Sequence, residues 1–367
     1  MKMGALVSQK TADFFRFRFS QALRRRPLPL LEQRPTLIQL MSKHPIQLGI
    51  IGCGSIAKAH ANAAKENGFA ITCVSDISEQ AVTAFLEQHL PEARGFISAE
   101  ELLDKGAVDA VIICTPPHSH TDVAIAALQR GIHVFCEKPL AAGVEECRRI
   151  EAAADASNAM LMMAFRHRFT AAQQAIKARL DTGELGRVIL FQNVFGGPAR
   201  QMKDRWFSRF AISGGGTLMD TSIHSIDLFR HYCGEIATFS GERDKAFEGT
   251  DVEDSSVLSL RSESGALGII AASWNYGVGR ADMEIITENG RIVYDYMEPN
   301  TYHIYRPGQS APESIFVKAT GGFTEQLAHF VESIRCGTAP LTGIQDGLRA
   351  VQIIECVYKQ RPLKVTA

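Results

Sequence analysis

The sequence lacks the features that mark several classes of protein. Its eight cysteines form no Cys-x-x-Cys pair and no short Cys/His cluster, so we expect no metal site. Several lie in apolar runs such as VIICT and HVFCEKP, a pattern typical of buried thiols in a reducing compartment, and we predict a cytoplasmic location. No apolar run approaches the length that spans a bilayer, so we expect no membrane partner.

The chain also has little net charge, and this near-neutrality hides an asymmetry. Of 367 residues with a formal charge of -1, residues 1–43 carry nine Lys/Arg against two Asp/Glu, which is +7 and leaves -8 for the rest. An acidic body offers no basic face for nucleic acid. The 1–44 extension has the Arg-rich composition of a transit peptide, but we interpret it as a disordered tail or as translated sequence upstream of a start at Met41.

The remaining chain, 46% hydrophobic overall, predicts two packed domains of an α/β protein. Residues 45–165 alternate short apolar strands with helices, which predicts a doubly wound parallel sheet, the Rossmann fold. Ser78 and Ser98 are predicted N-caps within it. Residues 166–367 open with one helix and continue as strands separated by hairpin signals such as SESG and ENG, so we predict an open, mainly antiparallel sheet.

The clearest motif is GIIGCGSIAKAH, which lies between a predicted strand and a predicted helix. Gly52, Gly54 and Ala57 fit the G-x-G-x-x-G/A pattern, in which the glycines permit a tight turn and close approach of a pyrophosphate to the helix N-terminus. Asp76 ends the second strand and can accept hydrogen bonds from a ribose diol while repelling a 2'-phosphate. The motif therefore predicts NAD as cofactor, with NADP less favoured.

Two further segments reach the same edge of the predicted sheet. CTPPHSH follows the fourth strand; its histidines, His118 and His120, are interpreted as hydrogen-bonding groups because no third ligand is near. CEKPL follows the fifth strand and holds Glu137 and Lys138, which form either a solvated ion pair or part of a proton-transfer site. The predicted cofactor contacts are Gly52, Gly54, Ser55, Ile56, Ala57, Asp76, Thr115, Pro116, His120, Glu137 and Lys138.

The segment GGGTLMDTSIHSIDL, residues 214–228, predicts an amphipathic helix after three glycines. Asp220 and His224 stand four residues apart on one face. Such a pair is commonly a surface interaction worth a few tenths of a kcal/mol. The glycines suggest instead that the chain passes close to substrate and nicotinamide before the helix forms. Asp227, on the same side, is predicted to be structural.

Together these motifs, with AFRHRF, GELGRV and the closing FVESIRCGTAPLTGIQDGLRAVQIIEC, resemble the Gfo/Idh/MocA oxidoreductases. The resemblance covers the chain from about residue 45 to the end. It implies a Rossmann domain followed by a substrate-binding domain with a large open sheet, a nicotinamide cofactor, and sugar, inositol or related polyol substrates. It also implies homodimers or homotetramers packed through the open sheet, and it places the family's catalytic residues at Lys138, Asp220 and His224.

Alcohol oxidation needs one base at the hydroxyl while hydride leaves the carbon for the nicotinamide. We assign that base to His224, whose ordinary pKa lies near neutrality. Asp220 is expected to stabilise the imidazolium or bind a neighbouring hydroxyl, and Lys138 to hold the reacting oxygen. The reverse assignment, with Lys138 as the base and His224 as the positioning group, stays open.

Substrate contacts are predicted at Arg168, which follows the last Rossmann strand, and at Arg200 and Trp206 in the loop FGGPARQMKDRWF. Nearby positive charges leave acidic sugars possible as substrates. Three alternatives remain within the same fold. They are an NAD-dependent glycoside hydrolase, a non-catalytic NAD-binding regulator, and a biliverdin-type or dihydrodiol reductase.

Overall fold

The described part of the chain, residues 45–360 of a computed structural model, begins with a six-stranded parallel sheet. The predictions made for residues 1–44 lie outside the described residues. The strands are β1 (Gln47–Ile51), β2 (Ala70–Ser75), β3 (Arg94–Phe96), β4 (Ala110–Ile113), β5 (His133–Cys136) and β6 (Leu161–Met163). The helices between them are α1 (Ser55–Asn67), α2 (Glu79–His89), α3 (Ala99–Lys105), α4 (Pro117–Gln129) and α5 (Val144–Asp155).

The spatial order β3-β2-β1-β4-β5-β6 is that of a doubly wound sheet, and the predicted Rossmann fold is confirmed. The order reverses between β1 and β4, where the carboxyl ends of the strands form the crevice in which such sheets bind ligands. The strands are short and almost wholly apolar because helices cover both of their faces. The two predicted caps are present, since Ser78 Oγ accepts from the amide of Ala81 at 3.3 Å and Ser98 Oγ from that of Glu101 at 3.0 Å.

The second sheet has eight strands in the order β14-β13-β12-β11-β7-β10-β9-β8. They are β7 (Val188–Pro198), β8 (Ile236–Asp244), β9 (Ser255–Ser262), β10 (Leu267–Ser273), β11 (Asn275–Thr287), β12 (Gly290–Asp295), β13 (Thr301–Tyr305) and β14 (Glu313–Phe316). The β7 and β10 strands pair in parallel and the other neighbours are antiparallel, which confirms the predicted open, mainly antiparallel sheet. The predicted ENG hairpin joins Thr287 to Gly290.

Helices of the second part are α6 (Ala171–Asp181), α7 (Phe210–Ser213), α8 (Ile223–Cys233), α9 (Phe323–Cys336) and α10 (Ile344–Lys359). Tight 3₁₀ turns cover Arg166–Phe169, Arg200–Asp204 and Trp206–Ser208. The single helix predicted after the three glycines of residues 214–216 is wrong in one respect, because a π-helical turn, Leu218–Ser222, precedes α8. A π-turn holds one residue more than an α-turn and recurs at functional sites.

Near its C-terminus the chain returns to the first sheet. Leu327, Phe330 and Val331 of α9 join the apolar core that contains Leu48 and Ile50 of β1. Thr342, beyond α9, accepts at its carbonyl from the amide of Met163, and its Oγ1 donates to the Met163 carbonyl. The predicted division at residue 165 therefore does not capture this return. Among the helices of residues 45–360, none is both long and apolar enough to cross a membrane.

Candidate active site

The glycine loop after β1 leaves the start of α1 open. Gly52 has φ 98°, and a Cβ there would lie 2.8 Å from the backbone of Cys114, so the loop packs tightly against the end of β4. Gly54 is the N-cap of α1 and supplies no side-chain cap, and a Cβ built on it meets nothing within 4 Å. Buried Ala57 lets the helix pack closely. Unbonded amides at an uncapped helix start, with space above them, suit an anionic phosphate group.

Asp76 lies beside this loop at the end of β2. Its Oδ2 accepts from the amide of Cys53 at 2.8 Å, and its Oδ1 accepts from the amide of Ser78 at 3.0 Å. The carboxylate thus ties β2 to the glycine loop, while each oxygen keeps a second lone pair for a ligand. Burial and the charge of Asp76 raise the pKa of the Cys53 thiol to about 12, so this cysteine is not a thiolate at neutral pH.

The end of β4 is braced by a buried histidine. His120 Nδ1 lies 2.8 Å from the carbonyl oxygen of Pro139, and its Nε2 lies 2.7 Å from that of Thr115. Each ring nitrogen lies against a carbonyl oxygen, so whichever nitrogen carries the proton donates to one of them, and the ring is fully buried. The geometry therefore places His120 between the β4 and β5 ends as a brace and leaves no ring nitrogen for a direct cofactor contact. Thr115 and Pro116, at the start of α4, are partly exposed.

Glu137 and Lys138, at the end of β5, do not form the solvated pair that was one of the sequence interpretations. Glu137 is 7% exposed, and its Oε1 lies 2.7 Å from Nε2 of His60 on α1. Burial opposes the charge, but His60 and then Lys138 keep the pKa of Glu137 below its ordinary value. His60 was missed from the sequence, although it is the last residue of the quoted GIIGCGSIAKAH segment.

Lys138 reaches across to the second part of the chain. Its Nζ donates to Oδ1 of Asp220 at 2.9 Å and to the Asp220 carbonyl oxygen at 2.8 Å. Asp220 lies in the π-turn, whose carbonyls are offset from the ordinary helical ladder. Among residues 45–360, two of the three ammonium donors have a partner, which leaves the third for a ligand oxygen. The structure therefore brings together two of the three predicted catalytic side chains.

His224, one turn further along, faces His167 rather than Asp220. The two imidazole rings are 4.9 Å apart, edge to face, and Phe165 packs at 6.3 Å. Burial, followed by the charge of Lys138, lowers the pKa of His224 well below its ordinary value, and burial does the same for His167. Within residues 45–360, Nδ1 of each ring is buried without a hydrogen-bond partner. Asp220 therefore does not orient His224, and both rings are neutral at neutral pH.

The three glycines before this turn are required by the packing of the protein itself. A Cβ on Gly214 would lie 2.5 Å from the carbonyl oxygen of Ala142, and one on Gly215 would lie 2.0 Å from the Tyr358 hydroxyl. A Cβ on Gly216 would lie 1.7 Å from the carbonyl oxygen of Glu253. The expectation that these glycines let the chain approach substrate and nicotinamide is corrected accordingly.

A buried carboxylate explains this close packing. Glu253 Oε1 accepts from the amide of Leu218 at 2.8 Å and Oε2 from that of Gly216 at 3.3 Å. The Tyr358 hydroxyl donates to the same carboxylate at 2.9 Å. Burial raises the pKa of Glu253. The carboxylate holds the beginning of the π-turn, where amides lack helical partners.

Arg168 does not reach a substrate position. Its guanidinium donates to both oxygens of Asp227, at 2.9 and 2.6 Å, and to Asp346 at 3.0 Å. Although burial opposes its charge, these two carboxylates raise the pKa of Arg168. The structure contradicts the predicted substrate role, because the Arg168 side chain is only 7% exposed and its Nε and Nη2 groups donate to carboxylates inside the protein. Asp227 has a structural role, as predicted, but in the described part of the chain its carboxylate pairs with the Arg168 guanidinium and not with backbone groups.

The other two predicted substrate contacts lie in the loop after β7. Arg200 is exposed. Trp206 is half-buried and stacks on Phe207 with ring centroids 3.7 Å apart. It lines an open cleft of about 440 Å³ together with Arg205 and Arg209. The cleft has cations and carboxylates on its walls.

Comparisons with known proteins agree with this architecture. Residues 46–165 match the family model described as "Oxidoreductase family, NAD-binding Rossmann fold", and residues 173–293 match the "GFO/IDH/MocA C-terminal domain".

Curated relatives span nearly the whole described chain. Myo-inositol 2-dehydrogenase of Thermotoga maritima is 26% identical over 318 residues, 83% of this chain and 93% of that protein. The scyllo-inositol 2-dehydrogenase (NAD(+)) of Bacillus subtilis is 26% identical over 313 residues, 82% of this chain and 89% of its own length. Among solved structures, levoglucosan dehydrogenase in complex with NADH superposes with a TM-score of 0.80 at 22% identity. That match covers 86% of this chain and 96% of the other, and it shows a shared fold.

Proposed function

Because the chain belongs to the Gfo/Idh/MocA family of NAD-binding oxidoreductases, we propose that it oxidises a secondary hydroxyl of a sugar, inositol or related polyol with NAD. The observation that carries the proposal is the contact of Lys138 with Asp220. This contact joins the carboxyl edge of the first sheet, where the glycine loop lies, to the helix that presents His224. Relatives named inositol 2-dehydrogenase support the substrate class.

The residues present fit a dinucleotide. The uncapped start of α1, with open space above Gly54, suits the pyrophosphate, bound by the amides of Ser55 and Ile56. Asp76 would accept from the adenosine ribose hydroxyls and disfavour a 2'-phosphate. When bound, NAD supplies the hydride acceptor. Thr115, Pro116 and Glu137 would then line the nicotinamide half of the site at the ends of β4 and β5.

A side chain of the protein accepts the proton that the substrate hydroxyl loses. Lys138, with one ammonium donor free, donates to the reacting oxygen and stabilises the charge that develops there. His224, held neutral by its buried surroundings, accepts the hydroxyl proton. Asp220 serves this step by holding Lys138 in place, and His167 packs beside the accepting ring. With NAD bound, the cofactor would supply the acceptor for the hydride of the carbinol carbon while His224 takes the hydroxyl proton, and the two-electron oxidation would then balance.

Substrate recognition is proposed for the loop after β7. Trp206 offers an aromatic face to a sugar ring, and Arg200 offers donors for hydroxyl or carboxylate oxygens. The position of Trp206 on the wall of an open cleft supports its part of this assignment.

We also propose a homodimer or homotetramer in a reducing compartment such as the cytoplasm. The outer face of the eight-stranded sheet exposes Val257, Leu267 and Ile269, each 41–49% accessible. Arg261 and Ser259 lie opposite the last two in the strand register, and exposed apolar side chains among polar ones suit a subunit contact. In the described chain all eight cysteines are free thiols and five of them are buried, which suits reducing conditions.

A panel of polyols, aldoses and keto-sugars, assayed with NAD and NADP in parallel, tests the proposal. We expect net NADH formation with at least one polyol and slower turnover with NADP. Wild-type turnover in a Lys138→Ala/His224→Ala double variant would overturn the catalytic assignment. Faster turnover with NADP would overturn the role given to Asp76, and net glycoside cleavage without NADH would indicate a hydrolase.

A further inference from the structure

A histidine on the cofactor-binding helix contacts the residue next to Lys138. His60 lies on α1, has no exposed surface and packs edge-on against Phe135 at 5.4 Å and Phe323 at 5.6 Å. Its Nε2 lies 2.7 Å from Glu137 Oε1. Burying an imidazole and a carboxylate costs free energy unless the two groups are paired by a hydrogen bond. The contact between His60 and Glu137 supplies that pairing.

The protonation of the pair follows from its partners. Glu137 is ionised, so Oε1 can only accept, and Nε2 of His60 must carry the donated proton. Within the described chain, Nδ1 of His60 has no partner and is buried. The Nε2–H tautomer is the one that avoids an unpaired N–H in this apolar surrounding.

Glu137, held by His60, also holds the backbone of Lys138. Its second oxygen, Oε2, accepts from the Lys138 amide at 3.2 Å. Lys138 is therefore held at both ends, since its amide bonds to Glu137 and its Nζ bonds to Asp220 at 2.9 Å. One end is anchored to α1 and the other to the π-turn.

We propose that His60 and Glu137 are positioning residues that hold Lys138 at the reacting oxygen and couple its position to the cofactor-binding helix. The inference rests on the proposed function for its kinetic consequence, but its geometric part stands without turnover. A displacement of about 1 Å at a reacting group costs on the order of 100-fold in rate. His60 itself touches no reacting atom.

Two substitutions separate the hydrogen bond from packing. His60→Phe keeps an aromatic ring against Phe135 and Phe323 but removes the donor, and we expect kcat to fall roughly 10- to 100-fold with the Kd for NADH within about threefold of wild type. His60→Gln restores a donor without the ring and should recover part of kcat. The matched control is His133→Phe, at the opposite end of β5, which loses only a bond from the Met160 amide and should leave kcat unchanged.

Measurements without substrate distinguish failure of this inference from failure of the proposed function. In ¹⁵N-histidine NMR spectra of the full chain, Nε2 of His60 should carry a proton. Crystals of Glu137→Gln, or of His60→Phe, should show Lys138 Nζ displaced from Asp220. A double-mutant cycle of His60→Phe with Glu137→Gln should be strongly non-additive.

An unmoved Lys138, additive losses, or wild-type kcat in a folded His60→Phe variant would each overturn the inference. If His60→Phe does not fold, His60→Gln and Glu137→Gln carry the same tests. If the wild-type protein oxidises no polyol, the proposed function fails, while the NMR and crystallographic results still decide whether the pair positions Lys138.

Discussion

Two ion pairs lie seven residues apart on the segment that runs from the π-turn into α8. Asp220 pairs with Lys138 and Asp227 pairs with Arg168. The first pair is 18–23% exposed at its side chains, and the second is 7% and 1% exposed. The difference teaches that charge does not distinguish a reactive site from a structural one. Unused hydrogen-bonding capacity and access do. Within the described residues two of the three Lys138 ammonium donors have a partner, whereas Arg168 donates to two carboxylates and is only 7% exposed.

The substitution with the largest expected effect breaks the first pair, Lys138 with Asp220. Lys138→Ala removes the proposed donor at the reacting oxygen, so we expect kcat/KM to fall about 10²- to 10³-fold. The partly exposed pair contributes little to folding, so the urea midpoint should change only slightly. Steady-state kinetics with NAD and the best polyol, together with urea unfolding, check both parts. A variant that unfolds easily but turns over normally would reverse the comparison.

Breaking the second pair should give the opposite pattern. Arg168→Met leaves Asp227 as a buried, unpaired carboxylate, and we expect a loss of at least about 3 kcal/mol in the free energy of unfolding. Because Arg168 contacts no reacting group, kcat per folded molecule should stay near wild type at a temperature where the variant is folded. Chemical denaturation and active-site-normalised kinetics measure the two quantities. A selective loss of kcat would place Arg168 in the catalytic site after all.

Substitutions in the packing around the π-turn that carries Asp220 should have a smaller effect on stability. Gly215→Ala places a Cβ against the Tyr358 hydroxyl, and overpacking of this kind costs about 1–3 kcal/mol. Tyr358→Phe alone should cost about 1 kcal/mol through the lost bond to Glu253. It should also relieve part of the Gly215→Ala penalty, since the hydroxyl is the nearest atom. Additive losses in thermal unfolding of the double variant would contradict this packing argument.

The smallest effect concerns the two neutral histidines beside the first pair. Burial lowers the pKa of His167 and His224 in the folded state, so the unfolded chain binds protons first as the pH falls below about 6.5. Stability is therefore retained above that pH and lost below it, by about 1.4 kcal/mol per pH unit for each ring. His224→Gln should lose stability less steeply than wild type between about pH 6.5 and 5.5. Parallel stability curves from urea titrations would contradict the neutral assignment.

Sequence patterns predicted both sheets because buried parallel strands and hairpin-bounded strands differ in period and in turn chemistry. They also predicted Lys138 and Asp220, which the structure brings into contact. They did not predict the partners of Arg168 and Glu137. Arg168 contacts Asp346 across 178 residues, and Glu137 contacts His60 across 77. No local period encodes such pairings, since they depend on how distant elements pack.

The glycines at 214–216 show the same limit. The run of glycines indicates a crowded backbone, but the sequence does not identify the crowding groups. In the structure they are Ala142, Tyr358 and Glu253. The π-turn was likewise not predicted, because its residue types are those of an ordinary α-helix and only its hydrogen-bond pattern differs.

That turn makes the active site depend on a single extra residue. Deleting Thr221 would restore a continuous α-helical ladder and rotate everything upstream by about 100° relative to α8. The rotation would carry Asp220 away from Lys138 while Asp227 and Arg168 stayed in place. The insertion of one residue into a helix is therefore a step by which a stable scaffold of this kind can gain a reactive contact, and its removal is a step by which the contact can be lost while the fold remains.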